Sequence, residues 1–210
     1  PGGHRITDDR LILLFIKDPS AGKVKSRLAA ALGEDAAREL YRNFVLDTLA
    51  LAEASGIPFR ICHFPPDAGS SLKRWLGGRF AFQPQEGADL GERMEMAFRK
   101  AFAEGRTRAV LIGSDIPDLP TSVVSGAFRA LDRNDAVIGP ARDGGYYLVG
   151  FRSNAFLPGI FRGIPWSTAN SAALIGTDAH VGRRLRSSRY RKPRNMISSA
   201  IGAMTAAARN

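Results

Sequence analysis

One stretch of the sequence, residues 109–120, constrains the fold more than any other. Its first four residues form an uninterrupted apolar run with β-branched members, which is typical of a central parallel strand covered on both faces. Pro117 and Pro120 then remove two backbone donors, so the chain must turn directly after the strand. Asp115 and Asp118 lie in that turn. The stretch therefore predicts a buried strand whose carboxyl end carries two carboxylates.

The position of these carboxylates predicts a metal site. Open α/β sheets bind ligands in the crevice outside the carboxyl ends of their strands. A carboxylate there is a hard oxygen ligand, which suits Mg²⁺ or Mn²⁺ held jointly with substrate phosphates. We therefore predict that Asp115 and Asp118 bind a divalent metal ion. Capping of the helix that begins near Thr121 is the alternative role, and it is a stronger alternative for Asp118 than for Asp115.

Apolar runs and helical periodicities alternate along the rest of the chain. Strands are predicted at residues 11–16, 59–64, 79–82, 109–112, 136–139 and 146–151. Helices are predicted at residues 27–32, 34–54, 72–76 and 90–104, and a further helix, capped by Thr121 or Ser122, runs to about Leu131. The apolar face of the helix at 90–104 is formed by Leu90, Met94, Phe98 and Phe102. This order predicts an α/β fold, namely a three-layer α/β/α sandwich around a mostly parallel sheet. We assign residues 1–10 to a flexible lead, 11–168 to one domain and 169–210 to a poorly ordered tail.

A basic loop follows the first predicted strand. Lys17, Lys23, Lys25 and Arg27 lie around Gly22, and a helix is predicted to begin beside them. A loop that runs from a strand into a helix N-terminus directs backbone donors at an anion. The spacing matches neither a P-loop nor a G-x-G-x-x-G motif. The loop is therefore a candidate phosphate site, with a solvated surface loop as the alternative.

A second candidate anion site precedes the helix predicted at residues 90–104. Asp89 and Glu92 have the spacing of a capping box. Capping does not explain Gln85, Gly91 and Arg93, which lie before and within the first turn, where anions bind.

Asp143, Gly144 and Gly145 precede the strand that begins at Tyr146. An Asp-Gly pair is a common turn signal. Two adjacent glycines would also let a sugar or a base approach the backbone closely. Both interpretations stay open at this point.

The net charge of +10 is unevenly distributed. Residues 171–210 hold eight basic residues against Asp178 alone, so the tail carries most of the excess. Nucleic-acid binding by this tail is the rival function. Because Tyr190 is its one aromatic residue and no known motif is present, we expect no nucleic-acid partner.

Several classes of protein are disfavoured by what the sequence lacks. No apolar run approaches the roughly 20 residues that a membrane span needs, and no charged and apolar leader precedes the first strand, which predicts a cytoplasmic protein. Cys62 is the single cysteine, so a disulfide framework and a cysteine zinc site are excluded. His4, His63 and His180 are isolated from one another along the sequence.

Five motifs occur in an order that resembles a known family. They are residues 15–28, 85–94, 113–119, 139–148 and 164–168. Over residues 11–168 the chain resembles the bacterial DUF2064 family of glycosyltransferase-A-like proteins, also called selenodomain-associated transferases. The resemblance implies a nucleotide-diphospho-sugar transferase fold and metal-dependent transfer from a nucleotide or nucleotide-sugar donor to a small-molecule acceptor.

The resemblance also implies roles for individual residues. It implies that the loop of residues 17–27 holds the phosphates of the nucleotide and that Lys23 is a catalytic residue. It also implies that residues 85–93, including Asp89 and Gly91, help to hold the nucleotide. Asp115 binds the metal. Residues 143–146 line the acceptor side, where Asp143 is a catalytic candidate, and Trp166 and Ser167 of the last motif belong to the same side.

The resemblance leaves three functions open. Glycosyl transfer is favoured, nucleotidyl transfer to a phosphorylated small molecule is the first alternative, and an inactive homologue is the second. Relatives continue with a helix, a strand and an Asp-x-Asp-Thr-Pro-like motif that residues 169–210 lack, and a shift of reading frame near Ala169 would explain this. A sheet without those elements exposes an edge, so we expect low stability or self-association into a homo-oligomer.

Overall fold

Seven strands form one sheet in the order β3-β2-β1-β4-β6-β5-β7 within the described part of the chain. Their bounds are Arg10–Lys17 (β1), Phe59–Phe64 (β2), Phe82–Pro84 (β3), Arg108–Gly113 (β4), Ala136–Pro140 (β5), Tyr146–Arg152 (β6) and Leu185–Ser187 (β7). The structure is a computed structural model that describes residues 8–20, 26–141, 145–161 and 185–187, with the backbone alone at 26–28 and 185–187.

The strand directions bring several strand ends to one edge. β1 pairs in parallel with β2 and β4, β2 with β3, and β5 with β7, whereas β6 runs antiparallel between β4 and β5. Because β6 is reversed, its first residue, Tyr146, lies at the same edge as the last residues of β1 and β4. The sheet is therefore mostly parallel, as the sequence predicted.

Helices cover both faces of this sheet. They are Ser26–Leu32 (α1), Glu34–Ala54 (α2), Gly69–Leu76 (α3), Leu90–Ala103 (α4) and Thr121–Leu131 (α5). Gly33 separates α1 from α2 with a φ of 85°, a conformation that glycine adopts without a steric penalty. The predicted bounds of β2 and α2 coincide with those observed.

Alternate residues of β1 enter two separate cores. Ile12, Leu14 and Ile16 pack beneath α2, α3 and α5. Their neighbours, among them Leu13, pack beneath α4 on the other face. All of these side chains are buried. This continuous apolar run confirms the prediction of a three-layer α/β/α sandwich, because a strand covered on both faces needs no polar side.

Three local predictions differ from the structure. The strand predicted at 79–82 lies at Phe82–Pro84, because pairing with β2 selects those residues, whereas Arg79 forms an ion pair with Glu53 at 2.6 Å. The helix predicted at 72–76 begins earlier, at Gly69. Leu90 was predicted to face the core but is 40% exposed, because it is the first residue of α4.

The tail contributes one strand to the described fold. Residues 176–195 show no strand periodicity, yet β7 lies among them and pairs with β5, with Ala136 opposite Leu185. Strand pairing is a tertiary contact, so a short strand can form where the sequence pattern gives no signal. The other residues of the predicted tail, and those of the lead before Asp8, lie outside the described residues. No helix among the described residues is long and apolar enough to cross a membrane.

Replacing Gly139 by alanine should destabilise the sheet. A Cβ atom at Gly139 would lie 2.5 Å from Cζ of Tyr147, whose ring is buried and has little room to move. We expect Gly139→Ala to lower the free energy of unfolding by about 1–3 kcal/mol in urea titration. The matched control is Gly126→Ala in α5, where the added Cβ would lie 3.7 Å from Nη2 of Arg129. That change should raise stability by about 0.5–1 kcal/mol, and equal effects of the two substitutions would contradict the described packing.

Candidate active site

The carboxyl-terminal edge of the sheet collects most of the predicted site residues that the structure describes. Lys17 ends β1, Asp115 follows β4 by two residues, and Tyr146, directly after Gly145, begins the reversed strand β6. The segment of residues 85–93 follows β3 at the same edge. The side chains of Lys17 and Asp115 are exposed. The topology thus places residues from four separate motifs along one edge.

A buried hydroxyl links the first two of these motifs. The backbone N–H of Lys17 donates to Oη of Tyr41 at 2.8 Å, and the same oxygen lies 3.0 Å from Oγ of Ser114. Burial raises the pKa of Tyr41 to about 12, and the charges of Asp115 and Asp18 add to this against the lowering effect of the two hydrogen bonds. The phenol is therefore neutral near pH 7.

The two carboxylates after β4 are exposed, and neither is the N-cap of the next helix. Pro120 occupies the N-cap position of α5, and it provides no side-chain hydrogen bond. Our expectation that Thr121 or Ser122 caps this helix is wrong, because Thr121 is already its first residue. Among the described residues, no group of three or more His, Cys, Asp or Glu side chains could hold a metal ion. Metal binding by Asp115 and Asp118 stays a prediction.

Sequence reasoning missed Asp18, which lies at the start of the basic loop. Its side chain is 5% exposed and accepts hydrogen bonds from N and Oγ of Ser20, at 2.8 and 2.6 Å, and from Oγ of Ser71 in α3. Burial alone would raise the pKa of Asp18, but these hydrogen bonds outweigh it and lower the pKa. The Asp-Pro-Ser sequence was a local signal, because Asp side chains bond the backbone two residues on in turns.

Gln85 joins the ends of two strands. Its Nε2 donates to the carbonyl oxygens of Cys62, at 2.7 Å, and Ile16, at 3.3 Å, and the residue is 5% exposed. The amide nitrogen thus has partners within the protein, at the edge where β1 and β2 end. Nucleotide binding by Gln85 stays a prediction.

The capping box predicted before α4 is present. Oδ1 of Asp89 accepts from the N–H of Glu92 at 2.9 Å, and Oε2 of Glu92 accepts from the N–H of Ala88 at 2.8 Å. Gly91 is buried in the first turn. The carboxylate of Asp89 is therefore engaged in capping, and its role toward a nucleotide stays a prediction.

Arg93 is held in place at the same helix start. Its Cζ lies 4.2 Å from the ring centroid of Phe64, and its Nε donates to the carbonyl oxygen of Asp89 at 3.1 Å. A guanidinium stacked on an aromatic ring keeps its terminal nitrogens in a fixed plane. This suits an arginine that binds an anion beside the end of β2.

A backbone hydrogen bond across the segment before β6 agrees with the turn interpretation of Gly145. The N–H of Ala141 donates to the carbonyl oxygen of Gly145 at 2.8 Å. Oη of Tyr146 donates to Sδ of Met94 at 3.3 Å, and burial raises the pKa of this phenol. The hydroxyl of Tyr146 is thus engaged with α4, while the backbone of Gly145 closes the hairpin.

Seven predicted site residues lie outside the described residues, and only the backbone of Arg27 is described. The seven are Gly22, Lys23, Lys25, Asp143, Gly144, Trp166 and Ser167. Their neighbours in the chain fix where the two loops begin and end. Ser20 and Ser26 flank the first loop, and Ala141 and Gly145 flank the second.

A cavity of about 360 Å³ lies at the opposite, amino-terminal edge of the sheet. Arg108 lines it and forms ion pairs with Asp9, at 2.7 Å, and with Asp132. Because this guanidinium already has carboxylate partners, the cavity offers less to an anion than the carboxyl-terminal edge does. Cys62 is no nucleophile either, because burial raises the pKa of its thiol to about 12.

Comparison with known proteins agrees with this architecture. The family described as "Uncharacterized protein conserved in bacteria (DUF2064)" matches residues 47–168. The crystal structure of a "putative nucleotide-diphospho-sugar transferase" from Desulfovibrio desulfuricans G20 superposes with a TM-score of 0.81 at 43% identity, over 86% of this chain and 79% of that one. No curated protein matches the chain.

Structures of two more distant proteins share the fold alone. Rv0371c from Mycobacterium tuberculosis H37Rv superposes with a TM-score of 0.54 at 12% identity, over 88% of this chain and 89% of that one. The complex of Rv0371c with manganese superposes with a TM-score of 0.50 at 16% identity, over 87% of this chain and 88% of that one. CMP:2-keto-3-deoxy-manno-octonic acid synthetase complexed with CTP superposes with a TM-score of 0.54 at 9% identity, over 93% and 98%.

The chain belongs to the DUF2064 family, because the family matches more than half of its length. Its fold is that of nucleotide-diphospho-sugar transferases, and its structural neighbours include transferases that act on nucleotides.

Removing the carboxylate of Asp18 should destabilise the protein in a pH-dependent way. The pKa of Asp18 is lower in the folded chain than its ordinary value of 3.8, so its contribution is present above about pH 4 and declines as the pH falls. We expect Asp18→Asn to cost about 1–3 kcal/mol at pH 7 in urea titration, and the difference from wild type to shrink below pH 4. Ser71→Ala should share part of this loss.

The matched control is the exposed Ser70 of α3, which directly precedes Ser71 in the chain. Ser70→Ala should leave the free energy of unfolding within about 0.5 kcal/mol of wild type. A difference between wild type and Asp18→Asn that stays constant from pH 7 to pH 3 would refute the assigned role of the carboxylate.

Proposed function

We propose that this protein is a metal-dependent glycosyltransferase that uses a nucleotide-diphospho-sugar donor and a small-molecule acceptor. The observation that carries the proposal is the convergence of Lys17, the exposed Asp115 and the start of β6 at one edge of the sheet. The identity of 43% to the sugar transferase homologue favours a sugar donor.

The donor set at this edge suits Mg²⁺ or Mn²⁺. These ions are commonly bound by one or two carboxylates together with substrate phosphates and water, so an all-protein cluster is not required. Asp115 would be the principal ligand, with Asp118 as the second carboxylate. Manganese in the complex of Rv0371c, a protein of the same fold, agrees with this choice. A bound divalent ion would neutralise charge on the diphosphate of the donor.

The residues of the chain have separate tasks in the proposed reaction. An acceptor hydroxyl attacks the anomeric carbon of the donor, the bond to the diphosphate oxygen breaks, and a nucleoside diphosphate leaves. Lys23, Lys25 and Arg27 would stabilise the charge that grows on the leaving diphosphate. Arg93, stacked on Phe64, would hold the nucleotide.

The acceptor side completes the reaction. Asp143, three residues before β6 in the sequence, is the candidate that takes the proton of the acceptor hydroxyl. Gly144 and Gly145 would let the acceptor approach the backbone, and Trp166 and Ser167 would line the same side.

Nucleotidyl transfer is the second candidate, because a synthetase complexed with CTP has the same fold. In that reaction an acceptor phosphate attacks the α-phosphate of a nucleoside triphosphate, and pyrophosphate leaves. The basic loop would serve both reactions, so the products distinguish them.

Product analysis tests which group is transferred. With Mn²⁺ and a panel of nucleotide sugars, we expect release of a nucleoside diphosphate, slowly to water and faster when the natural acceptor is added. Pyrophosphate release from a nucleoside triphosphate, measured in parallel with phosphorylated acceptors, would instead establish the second candidate. Absence of both products across the panels would contradict transferase activity.

Replacing Asp115 should remove the metal-dependent part of nucleotide binding. At 100 times its dissociation constant a ligand adds about 2.7 kcal/mol of stability, which a thermal-shift assay detects. We expect Mn²⁺ to enhance the shift produced by a nucleoside diphosphate in wild type, and Asp115→Asn to lose this enhancement while it keeps the unliganded midpoint. Asp118→Asn should have a smaller effect.

The control for Asp115 is the exposed Asp47 of α2, which lies in the middle of its helix. Asp47→Asn should respond to nucleotide and Mn²⁺ as wild type does. Equal metal enhancement in wild type and Asp115→Asn would remove Asp115 as a metal ligand.

A further inference from the structure

The hydroxyl of Tyr41 connects two segments of the chain that lead into the proposed site. Tyr41 lies on α2, is 3% exposed, and packs its ring into the core beneath α2, α3 and α5. Its Oη accepts the N–H of Lys17, the last residue of β1, and contacts Oγ of Ser114, the first residue after β4. One buried group thus bridges the ends of two adjacent parallel strands.

Each bridged residue leads directly into one half of the proposed site. Lys17 precedes the turn of Asp18 and Ser20, from which the basic loop departs. Ser114 immediately precedes Asp115 in the chain. A shift of either strand end relative to the other would therefore move Lys17 relative to the proposed metal ligand.

The hydrogen bonds of Tyr41 connect β1 and the segment after β4 beyond the end of their backbone pairing. The backbone N–H of Lys17 lies beyond the last pair of the β1–β4 ladder, which ends at Phe15 and Gly113. Beyond that pair, the hydroxyl of Tyr41 connects the two segments through its contacts with Lys17 and Ser114. Ser114 is 3% exposed, so water has little access to replace the contact.

We infer that Tyr41 is a positioning residue that sets the distance between Lys17, at the end of β1, and Asp115, the proposed metal ligand. The inference rests on the proposed function, because both residues must reach the same diphosphate. The side chain of Tyr41 is 3% exposed, so we do not expect it to contact nucleotide or metal itself. It acts through the backbone of Lys17 and through Ser114, so its removal should uncouple metal from nucleotide and should not abolish the binding of either.

The test compares Tyr41→Phe with a matched loss of a buried hydroxyl on the same helix. Tyr41→Phe keeps the ring and removes the bridge. Thr48→Val removes a hydroxyl that is also buried, 1% exposed, and donates to the carbonyl oxygen of Phe44 at 2.8 Å within α2. Tyr41→Phe loses the hydrogen bonds to Lys17 and Ser114, and Thr48→Val loses one, so both unfolding midpoints should fall, that of Tyr41→Phe by more.

The decisive readout is the ratio of nucleoside diphosphate affinity in Mn²⁺ to that in EDTA, measured by titration calorimetry. For Tyr41→Phe we expect this ratio to fall about tenfold, with the affinity in EDTA within about twofold of wild type. Thr48→Val should keep the wild-type ratio. Ser114→Ala, which breaks the other contact of the bridge, should resemble Tyr41→Phe, and the double variant should be no worse than either single one.

The failures of the two proposals are distinguishable. If wild type shows no metal-enhanced nucleotide binding, the proposed function fails and the inference with it. If wild type shows it and the ratio is unchanged in both Tyr41→Phe and Ser114→Ala, only the inference is overturned. If Thr48→Val lowers the ratio equally, general loss of stability explains the effect and the positioning role is rejected. Should Tyr41→Phe not fold, Ser114→Ala alone decides between these outcomes.

Discussion

The parallel pairing of β1 with β4 is the constraint on which the rest of the structure depends. Both strands are buried on two faces, and their register runs from Arg10 opposite Arg108 to Phe15 opposite Gly113. A slip of one residue would move every apolar side chain to the wrong core. This register therefore fixes where each strand ends, and with it the relative positions of Lys17 and Asp115.

Polar groups at the carboxyl edge then replace the ladder where the strands stop. Tyr41 bridges β1 to the β4 turn, Asp18 ties the first loop to α3, and Gln85 ties the segment after β3 to β1 and β2. All three are buried and hydrogen-bonded, so they stabilise the edge at little cost in desolvation. The side chains of Lys17 and Asp115 are exposed at this edge, outside that buried layer.

Much of the architecture could be predicted from the sequence, because long elements carry their own signals. The apolar run of β2 and the amphipathic, glycine-bounded α2 gave correct bounds, and the capping box located the start of α4. The bounds of β3 and the existence of β7 could not be predicted in this way, because pairing with a distant strand selects them.

The same distinction applies to the candidate site, where some residues have a local sequence signal and others do not. Asp115 follows a recognisable strand, so its place at the edge could be predicted, whereas Tyr41 resembles any other apolar-face residue of a long helix. Its role depends on partners 24 and 73 positions away in the chain. Asp18 reaches Ser71 across 53 positions, which no local pattern reveals.

The most direct measurement of the central claim is paramagnetic broadening of backbone amide signals by Mn²⁺ in the presence of a nucleoside diphosphate. Mn²⁺ broadens the signals of nearby nuclei, so it reports which edge of the sheet holds the complex. The account predicts nucleotide-dependent loss of the signals of Lys17, Ser114 and Gly145, with Thr107 and Asn154 at the opposite edge retained. Selective loss of Thr107 and Asn154, or broadening that does not depend on nucleotide, would contradict it.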